Sequence, residues 1–330
     1  MTTLGSRINR FLKDYAHAVV GVPRREVYDN SEKAELRGFV DAMNAPGFLE
    51  RFNALVSDLL EHDTNTVVRM LSRVYFAYHS RSRWIDLFTE TEKADLRKRY
   101  EEFDTLVLPL PPDRAYYQGL VGSAPLDPVV YWDCHHLASL HSPERFLEKD
   151  LVDAGACRGD SALVLSRLTK RKVYSFEPSR ENANYIADTL AFNKVDNVVI
   201  EHCALGNQAR SVGVVYQGVS GGSTIISSDA DMRNLETVEM ITLDSYTQEH
   251  NLDVGLIKMD VEGSEQALLR GARSTIQASK PTLIVSLYHS ADDFFSIKPM
   301  LESWNLGYRF RIVKPTNTSL INETTLIAEI

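Results

Sequence analysis

The sequence predicts an α/β protein whose mostly parallel sheet carries helices on both faces. From Leu151 onward, short apolar segments alternate with helical patterns, which is typical of such sheets. A glycine turn separates the first strand from the first helix, the place where ligands bind in doubly wound folds. The predicted strands cover 151–154, 172–176, 197–201, 255–260, 282–288, 308–313 and 324–330. The predicted helices lie near 160–169, 180–193, 263–277 and 293–304.

Helical periodicity dominates the first third of the chain, which we interpret as an all-helical domain over residues 1–105. Asp29 with Glu32, and Thr89 with Glu92, have the spacing of helix-capping boxes. Apolar residues recur at helical spacing over 4–20, 47–61 and 65–79. We interpret this domain as a packing unit through which a homodimer could form, with a substrate-binding lid as the alternative.

Two further segments differ in pattern. Residues 106–148 are rich in proline, which removes backbone donors and fixes φ, so an irregular connector is predicted. The second domain covers 149–330, and an insert over 206–250 within it contains two short strand patterns around Gly221-Gly222. A long insert at the ligand edge of a sheet is usually functional.

Composition disfavours several classes of protein. The 330 residues carry a formal net charge of −9, which argues against a broad nucleic-acid interface. The three cysteines are widely spaced, so neither a zinc site nor a disulfide framework is predicted, and a reducing compartment fits. No apolar run approaches membrane-spanning length and the first residues lack a signal-peptide pattern. We therefore expect a cytoplasmic protein without membrane insertion.

The glycine turn indicates a site for a nucleoside without a pyrophosphate. The stretch 153–160 has the spacing Gly-x-x-x-Gly rather than the Gly-x-Gly-x-x-Gly of dinucleotide-binding loops. Glu177 ends the next strand, where an acid can accept hydrogen bonds from both ribose hydroxyls. A ribose-binding acid without a phosphate loop points to S-adenosylmethionine. Asp160 would then face the cationic methionine end of that cofactor. A tight turn with surface acids is the structural alternative.

The segment from Lys258 to Glu265 forms a second polar cluster at the carboxyl edge of the predicted sheet. Because side chains alternate along a strand, Lys258, Asp260 and Glu262 are expected on one side. A purely structural Lys258–Asp260 pair is one interpretation, and binding and catalysis at a ligand site is another. A third has Asp260 and Glu262 bind a divalent metal, but two carboxylates alone do not suffice to predict one.

A histidine closes the next strand at the same edge. His289 follows Tyr288 there, and a histidine can serve as a general base near neutral pH. A hydrogen-bonding role is the alternative. His135 and His136, in the proline-rich segment, could also approach the site, but neither is assigned a role.

Together these motifs resemble the FkbM-type methyltransferase family over roughly residues 130–330. The segments that carry the resemblance are Val152–Ala156 with Gly159–Ser161, Phe176–Pro178, Ala204–Gly206, Thr242–Asp244 and Ile257–Glu265. The resemblance implies the class I methyltransferase fold, which is a Rossmann-like seven-stranded sheet. It also implies O-methylation with S-adenosylmethionine, frequently of a sugar hydroxyl. It leaves the first 105 or so residues uncovered.

The resemblance and the residue patterns together predict the site. The predicted cofactor-binding residues are Asp153, Gly155, Ala156, Asp160, Ser161, Glu177, Pro178, Ala204 and Asp260. Asp260 or His289 is the candidate catalytic base, and Lys258 would orient the acceptor or stabilise developing negative charge. Glu262 and Tyr288 are candidate substrate contacts. No metal is predicted.

The predicted function is O-methyl transfer to a small-molecule or glycan acceptor, in a bacterial glycan or a related metabolite. A nicotinamide-dependent oxidoreductase is one alternative, but it would need a pyrophosphate loop. A nucleic-acid methyltransferase is disfavoured by the acidic balance and because the chain contains no Asn-Pro-Pro-Tyr or Asp-Pro-Pro-Tyr tetrapeptide. A non-catalytic scaffold protein would keep the fold without the transfer.

Overall fold

The computed structural model describes residues 27–216, 223–226, 235–315 and 319–330. The helix predicted over 4–20 and the glycine pair at 221–222 lie outside these residues. The described strands are β1 (Tyr28–Asp29), β2 (Trp84–Ile85), β3 (Leu108–Leu110), β4 (Arg114–Tyr117), β5 (Leu120–Ser123), β6 (Asp150–Ala154), β7 (Val173–Phe176), β8 (Val198–Glu201), β9 (Ala204–Leu205), β10 (Arg210–Tyr216), β11 (Ser223–Ile226), β12 (Glu236–Ile241), β13 (Val254–Met259), β14 (Thr282–Ser286), β15 (Arg309–Val313) and β16 (Thr325–Glu329).

Helices connect most of these strands. The described α-helices are α1 (Arg37–Asn44), α2 (Phe48–Val56), α3 (Glu61–His79), α4 (Glu90–Leu106), α5 (Pro128–Tyr131), α6 (Asp160–Leu165), α7 (Arg180–Asn193), α8 (Leu243–Glu249), α9 (Glu265–Gly271), α10 (Arg273–Ser279) and α11 (Ala291–Glu302). Short 3₁₀ helices cover Asn30–Leu36, Cys134–Ser139 and Pro143–Phe146. The capping box predicted at Thr89 is confirmed: its hydroxyl accepts from the Glu92 amide, and the Glu92 carboxylate accepts from the Thr89 amide.

The central sheet contains all seven predicted strands in the order β15–β16–β14–β13–β6–β7–β8. β16 is antiparallel to its neighbours β14 and β15, and the remaining contacts are parallel. All residues of β6, β14 and β16 are buried, as expected for strands covered on both faces. The prediction of a Rossmann-like, mostly parallel seven-stranded sheet is confirmed.

The helix predicted over 263–277 is divided into α9 and α10. The division lies at Ala272, whose φ of −111° and ψ of 4° are not helical. The preceding residue, Gly271, packs so closely that a Cβ there would lie 1.9 Å from the carbonyl oxygen of Gly206. The chain therefore bends where the helix meets the loop after β9, a tertiary contact that the local pattern does not contain.

The N-terminal helices pack on the sheet and its last helix. The ring of Phe39 in α1 meets Phe294 of α11 edge to face at 5.5 Å, and Phe48 of α2 meets Phe295 at 5.9 Å. Buried residues of this region and of the sheet form one apolar core. The predicted helices are confirmed within the described residues, but the region is not all-helical, because β1 pairs with β2.

The prediction of an irregular connector over 106–148 is wrong, because β3, β4 and β5 form an antiparallel three-stranded sheet there. Proline is compatible with this sheet by position. Pro109 lies in the outer strand β3, and Pro111 and Pro112 lie in the turn that follows it. Arg114 of β4 is buried against α7, where it donates to the Thr189 hydroxyl at 2.7 Å.

The insert over 206–250 forms a small sheet with β9, in the order β11–β10–β12–β9. The two strand patterns predicted around the glycine pair are confirmed as β10 and β12. Val212, Val214, Val238 and Met240 give this sheet a small apolar cluster of its own. The insert is therefore anchored to the sheet edge through β9, beside the pocket described next.

Candidate active site

A pocket opens at the carboxyl edge of the central sheet, where β6, β7 and β13 end. Nine of the predicted site residues line it: Gly155, Asp160, Ser161, Glu177, Pro178, Ala204, Lys258, Asp260 and Glu262. Asp153, Ala156, Tyr288 and His289 do not line it. None of the described residues before Asp127 lines the pocket.

The turn after β6 is held against the loop after β13 by close backbone contact. Gly155 has a φ of +78°, and its amide donates to the carbonyl oxygen of Phe176 at 3.0 Å. A Cβ on Gly155 would lie 1.8 Å from the carbonyl oxygen of Asp260. Only glycine fits here, because the position combines a left-handed backbone with this approach. Ala156 also donates to Phe176 and is buried behind the pocket wall.

Glu177 is fixed by donors from two loops. Its carboxylate accepts from the Cys157 amide at 2.9 Å, from the Ser179 amide at 2.9 Å and from the Asn182 side-chain amide at 3.3 Å. The residue is only 2 % exposed, yet it lines the pocket. The carboxylate is therefore held in one orientation at the pocket wall.

Lys258 pairs with Asp153 beneath the glycine turn, rather than with Asp260 as the structural interpretation of the sequence supposed. Its Nζ lies 3.3 Å from Asp153 Oδ1 and donates to the carbonyl oxygen of Gly155 at 2.8 Å. Asp153 Oδ2 accepts from the Ser161 hydroxyl at 2.7 Å. Burial disfavours the charged ammonium, but the surrounding carboxylates, led by Asp153, raise the pKa of Lys258. Lys258 and Asp153 therefore hold the turn in place.

His289 lies behind Asp260, surrounded by carboxylates. Nδ1 is 2.8 Å from Glu265 Oε1, and Nε2 is 3.2 Å from Asp260 Oδ1 and 3.6 Å from Glu262 Oε2. Burial disfavours the imidazolium, but these carboxylates outweigh it and raise the pKa of His289 to about 9. Tyr288 donates to both oxygens of Asp260 at 3.2 Å. Both residues thus contact Asp260 rather than the pocket.

Three residues that the sequence did not assign also line the pocket: Asp127, His135 and Glu323. Asp127 caps α5, His135 lies in the 3₁₀ helix after it, and Glu323 precedes β16. Burial raises the pKa of Glu323 to about 8 and lowers the pKa of His135 to about 3. His135 was recognised as able to approach the site, whereas Asp127 and Glu323 belong to no motif.

The electrostatics of the pocket suit a cation. Among the described residues, Lys258 is the only lysine or arginine that lines the pocket, whereas six carboxyl groups line it: those of Asp127, Asp160, Glu177, Asp260, Glu262 and Glu323. Burial raises the pKa of Asp160 to about 6, which shows that its charge lacks full compensation. A positively charged ligand would supply that compensation.

Comparison with known proteins agrees with this picture. Residues 153–310 match the family model of the methyltransferase FkbM domain. A protein of Beauveria bassiana called Methyltransferase 1 is 26% identical over 186 residues, which cover 50% of this chain and 74% of that protein. The crystal structure of methyltransferase FkbM from Methylobacillus flagellatus matches with a TM-score of 0.53 and 18% identity, over 88% of this chain and 62% of that one. The chain contains an FkbM methyltransferase domain.

The matched residues include most of the central sheet and of the pocket lining, but β16 and the lining residues Asp127, His135 and Glu323 lie outside them. The structural match extends over more of the chain. Because that match covers 88% of the chain, it includes most of the first 105 residues, which the resemblance in sequence did not cover. The chain spans 62% of the length of that solved structure. Within the described residues, no helix combines the length and apolar character needed to cross a membrane.

Proposed function

We propose that this protein transfers the methyl group of S-adenosylmethionine to a hydroxyl group of a sugar or a related polyhydroxylated metabolite. The placement of Glu177 is the observation that carries the proposal. Its buried carboxylate is held by the amides of Cys157 and Ser179 beside a glycine turn that lacks the spacing of a pyrophosphate loop. A carboxylate fixed in this way lies where ribose hydroxyls bind in sheets of this kind, and its orientation is already set before a ligand arrives.

The rest of the pocket fits the other parts of this cofactor. Phe176, Pro178, Ala204 and Leu205 give an apolar wall beside Glu177, as an adenine ring requires. Asp160 is placed on the first turn of α6, where its carboxylate would face the cationic methionine end. When bound, S-adenosylmethionine supplies an electrophilic methyl group on a sulfonium. The acid-lined pocket stabilises that positive charge, most strongly where water is excluded.

Asp260 is the group best placed to accept the proton. It lines the pocket at the end of β13, whereas both ring nitrogens of His289 are engaged with carboxylates behind it. With S-adenosylmethionine bound, Asp260 would take the hydroxyl proton as the methyl group passes from the sulfur to the acceptor oxygen. The hydroxyl becomes strongly acidic as it donates its electron pair, so a carboxylate suffices as base, and much of the acceleration comes from alignment of the reactants.

The acceptor side of the pocket supports a polyhydroxylated substrate. Asp127, Glu262, Glu323 and the neutral imidazole of His135 offer hydrogen-bond acceptors to hydroxyl groups. A methyl-acceptor substrate that carries a carboxylate or a phosphate would be repelled by the negatively charged side chains there, and this repulsion is costly in a partly buried site. We therefore infer an acceptor without negative charge.

Calorimetry with S-adenosylmethionine and S-adenosylhomocysteine tests the cofactor assignment. Both should bind the native protein, and Glu177→Ala should weaken both by at least about tenfold through loss of the ribose hydrogen bonds. Glu181→Ala, an exposed acid on α7, is the matched control and should bind like the native protein. Binding of a nicotinamide dinucleotide instead would favour the oxidoreductase, and no binding by a folded sample would favour the scaffold alternative.

Transfer itself is tested by measuring S-adenosylhomocysteine release with a panel of neutral and anionic sugars. We expect turnover with neutral acceptors only, and at least about a hundredfold loss of kcat in Asp260→Asn with cofactor binding retained. Full activity in Asp260→Asn would refute the assignment of the base. His289→Ala, measured in the same assay, tests the other candidate base.

A further inference from the structure

Asp260, Glu262 and His289 have the arrangement of a divalent cation site, and we propose that they bind a divalent transition-metal ion of the Mn²⁺ type. Ligand atoms of Asp260, Glu265 and His289 all lie within 4.8 Å of one another. Around Nε2 of His289, Asp260 Oδ1 is at 3.2 Å and Glu262 Oε2 is at 3.6 Å. Atoms about 2.1 Å from a shared ion lie about 3.0 Å apart in an octahedron, so a small inward adjustment suffices.

Glu265 acts as a positioning residue for the imidazole. It is fully buried, and its Oε1 accepts from the Val261 amide at 2.9 Å and lies 2.8 Å from Nδ1 of His289. A metal ion would displace the proton from Nε2. The proton retained on Nδ1 would then leave the Nε2 lone pair directed at an ion between the carboxylates of Asp260 and Glu262. This is the carboxylate–histidine–metal arrangement, in which a buried carboxylate sets the tautomer of a metal-binding histidine.

The second oxygen of Glu265 is an independent indication. Oε2 is buried and has no hydrogen-bond partner among the described residues. An unpaired oxygen of a buried carboxylate is costly, because it has lost water without gaining a donor or a cation. An ion bound by Asp260, Glu262 and His289 would lie near the Glu265 carboxylate, one oxygen of which is within 4.8 Å of the ligand atoms of Asp260 and His289, and would offset its charge. The metal alternative raised from the sequence rested on Asp260 and Glu262 alone, and the fold brings His289 and Glu265 next to them.

The position of this cluster suggests what the ion would do. Asp260 and Glu262 line the pocket, so an ion held by them and by His289 would lie in its wall with coordination positions left for oxygen ligands. Two carboxylates and one imidazole suit Mn²⁺ better than Ca²⁺, which prefers oxygen ligands alone. An ion there would bind the acceptor hydroxyl and make its proton easier to remove. That role rests on the proposed function, but binding of the ion does not.

The test is a titration of the chelator-treated protein with Mn²⁺ at pH 8, followed by the electron paramagnetic resonance signal of the free ion. The native protein should bind one ion per chain. Glu262→Gln and His289→Gln should each weaken binding by about tenfold or more, because each removes a ligand, and Glu265→Gln should weaken it about tenfold or more by misplacing the imidazole. Asp292→Asn, an exposed acid three residues after His289, should bind like the native protein.

S-adenosylmethionine binding is measured on the same samples and separates the two proposals. Glu262 is only partly buried, so its variant is expected to fold even if His289→Gln does not. A native sample that binds the cofactor but leaves the Mn²⁺ signal unchanged overturns the metal site and leaves the proposed function standing. Equal Mn²⁺ affinity in native protein and Glu262→Gln also overturns it. Mn²⁺ binding without cofactor binding would refute the proposed function alone.

Discussion

Gly155→Ala tests the central contact of the site, the approach of the glycine turn to the loop after β13. The added Cβ would lie 1.8 Å from the carbonyl oxygen of Asp260, whereas a carbon and an oxygen in contact are about 3.3 Å apart. The two loops must therefore separate by more than an ångström. Because the obstacle is backbone, rotation of a side chain cannot relieve the clash.

The cost follows from the contacts that separation would break. The Asp260 amide donates to Ala154 at 3.0 Å, and Lys258 donates to the Gly155 carbonyl at 2.8 Å. Loss of one neutral hydrogen bond and one to a charged group costs about 3 kcal/mol together. The left-handed φ adds roughly 1 kcal/mol for alanine. We expect the free energy of unfolding to fall by about 4 kcal/mol and cofactor binding to be lost.

Urea denaturation of Gly155→Ala and Gly307→Ala measures these contributions separately. Gly307 has a φ of +85° with no atom within 4 Å of an added Cβ, so its variant carries the backbone cost alone. It should lose about 1 kcal/mol and bind the cofactor normally. If the two variants lose the same free energy of unfolding, or if Gly155→Ala binds the cofactor like the native protein, the close approach does not organise this site.

Three further predictions concern stability and pH. Burial raises the pKa of Glu92, but hydrogen bonds from Arg73 outweigh burial and lower the pKa to about 2. The Glu92 carboxylate therefore stabilises the fold above its unfolded pKa of about 4.5, and this stabilisation is lost as the pH falls towards 2. In urea titrations, Glu92→Gln should lose about 1–2 kcal/mol at pH 7 and much less at pH 3, while Glu90→Gln, an exposed acid, should differ little from the native protein at either pH. Gly38→Ala, in α1 with no atom within 4 Å of the new Cβ, should raise the thermal midpoint through a gain of about 0.5–1 kcal/mol, and a lower midpoint would contradict the open geometry. Burial raises the pKa of Asp160 to about 6, so its carboxylate is neutral below pH 6. Calorimetry should therefore show that the cofactor binds more weakly below pH 6 than above it. Asp160→Asn should bind the cofactor weakly at every pH, with little dependence on pH.

The fold was predictable because most of its strands have a recognisable local sequence pattern. Most strands of the central sheet are short apolar runs, and α7 begins and ends where the pattern predicts, at Arg180 and Asn193. The prediction of an irregular connector over 106–148 fails because proline does not exclude an outer strand, and Pro109 lies in one. The break at Ala272 was not predictable, because its cause is a contact with a loop distant in sequence.

The site residues that directly follow the parallel strands were predictable from the sequence. Gly155 and Glu177 follow strands β6 and β7, and residues at the carboxyl ends of parallel strands meet at one edge whatever the rest of the chain does. The identity of the lysine's partner was not predictable in the same way. Lys258 could pair along its own strand with Asp260 or across the sheet with Asp153, and only the register of β13 against β6, which aligns Lys258 with Asp153, decides between them.

Three residues of the proposed acceptor side were not assigned from the sequence, for a physical reason that also bears on specificity. Asp127, His135 and Glu323 reach the pocket from segments outside the parallel strands, and those segments are positioned by packing rather than by the geometry of the sheet. Cys134, His135 and His136 all have positive φ, a conformation that costs non-glycine residues energy and persists only where the surroundings enforce it. The proposed cofactor side therefore follows from the fold, whereas the proposed acceptor side depends on segments that a related chain can change without altering the sheet. Substitutions there should alter which acceptor is methylated and leave cofactor affinity in place.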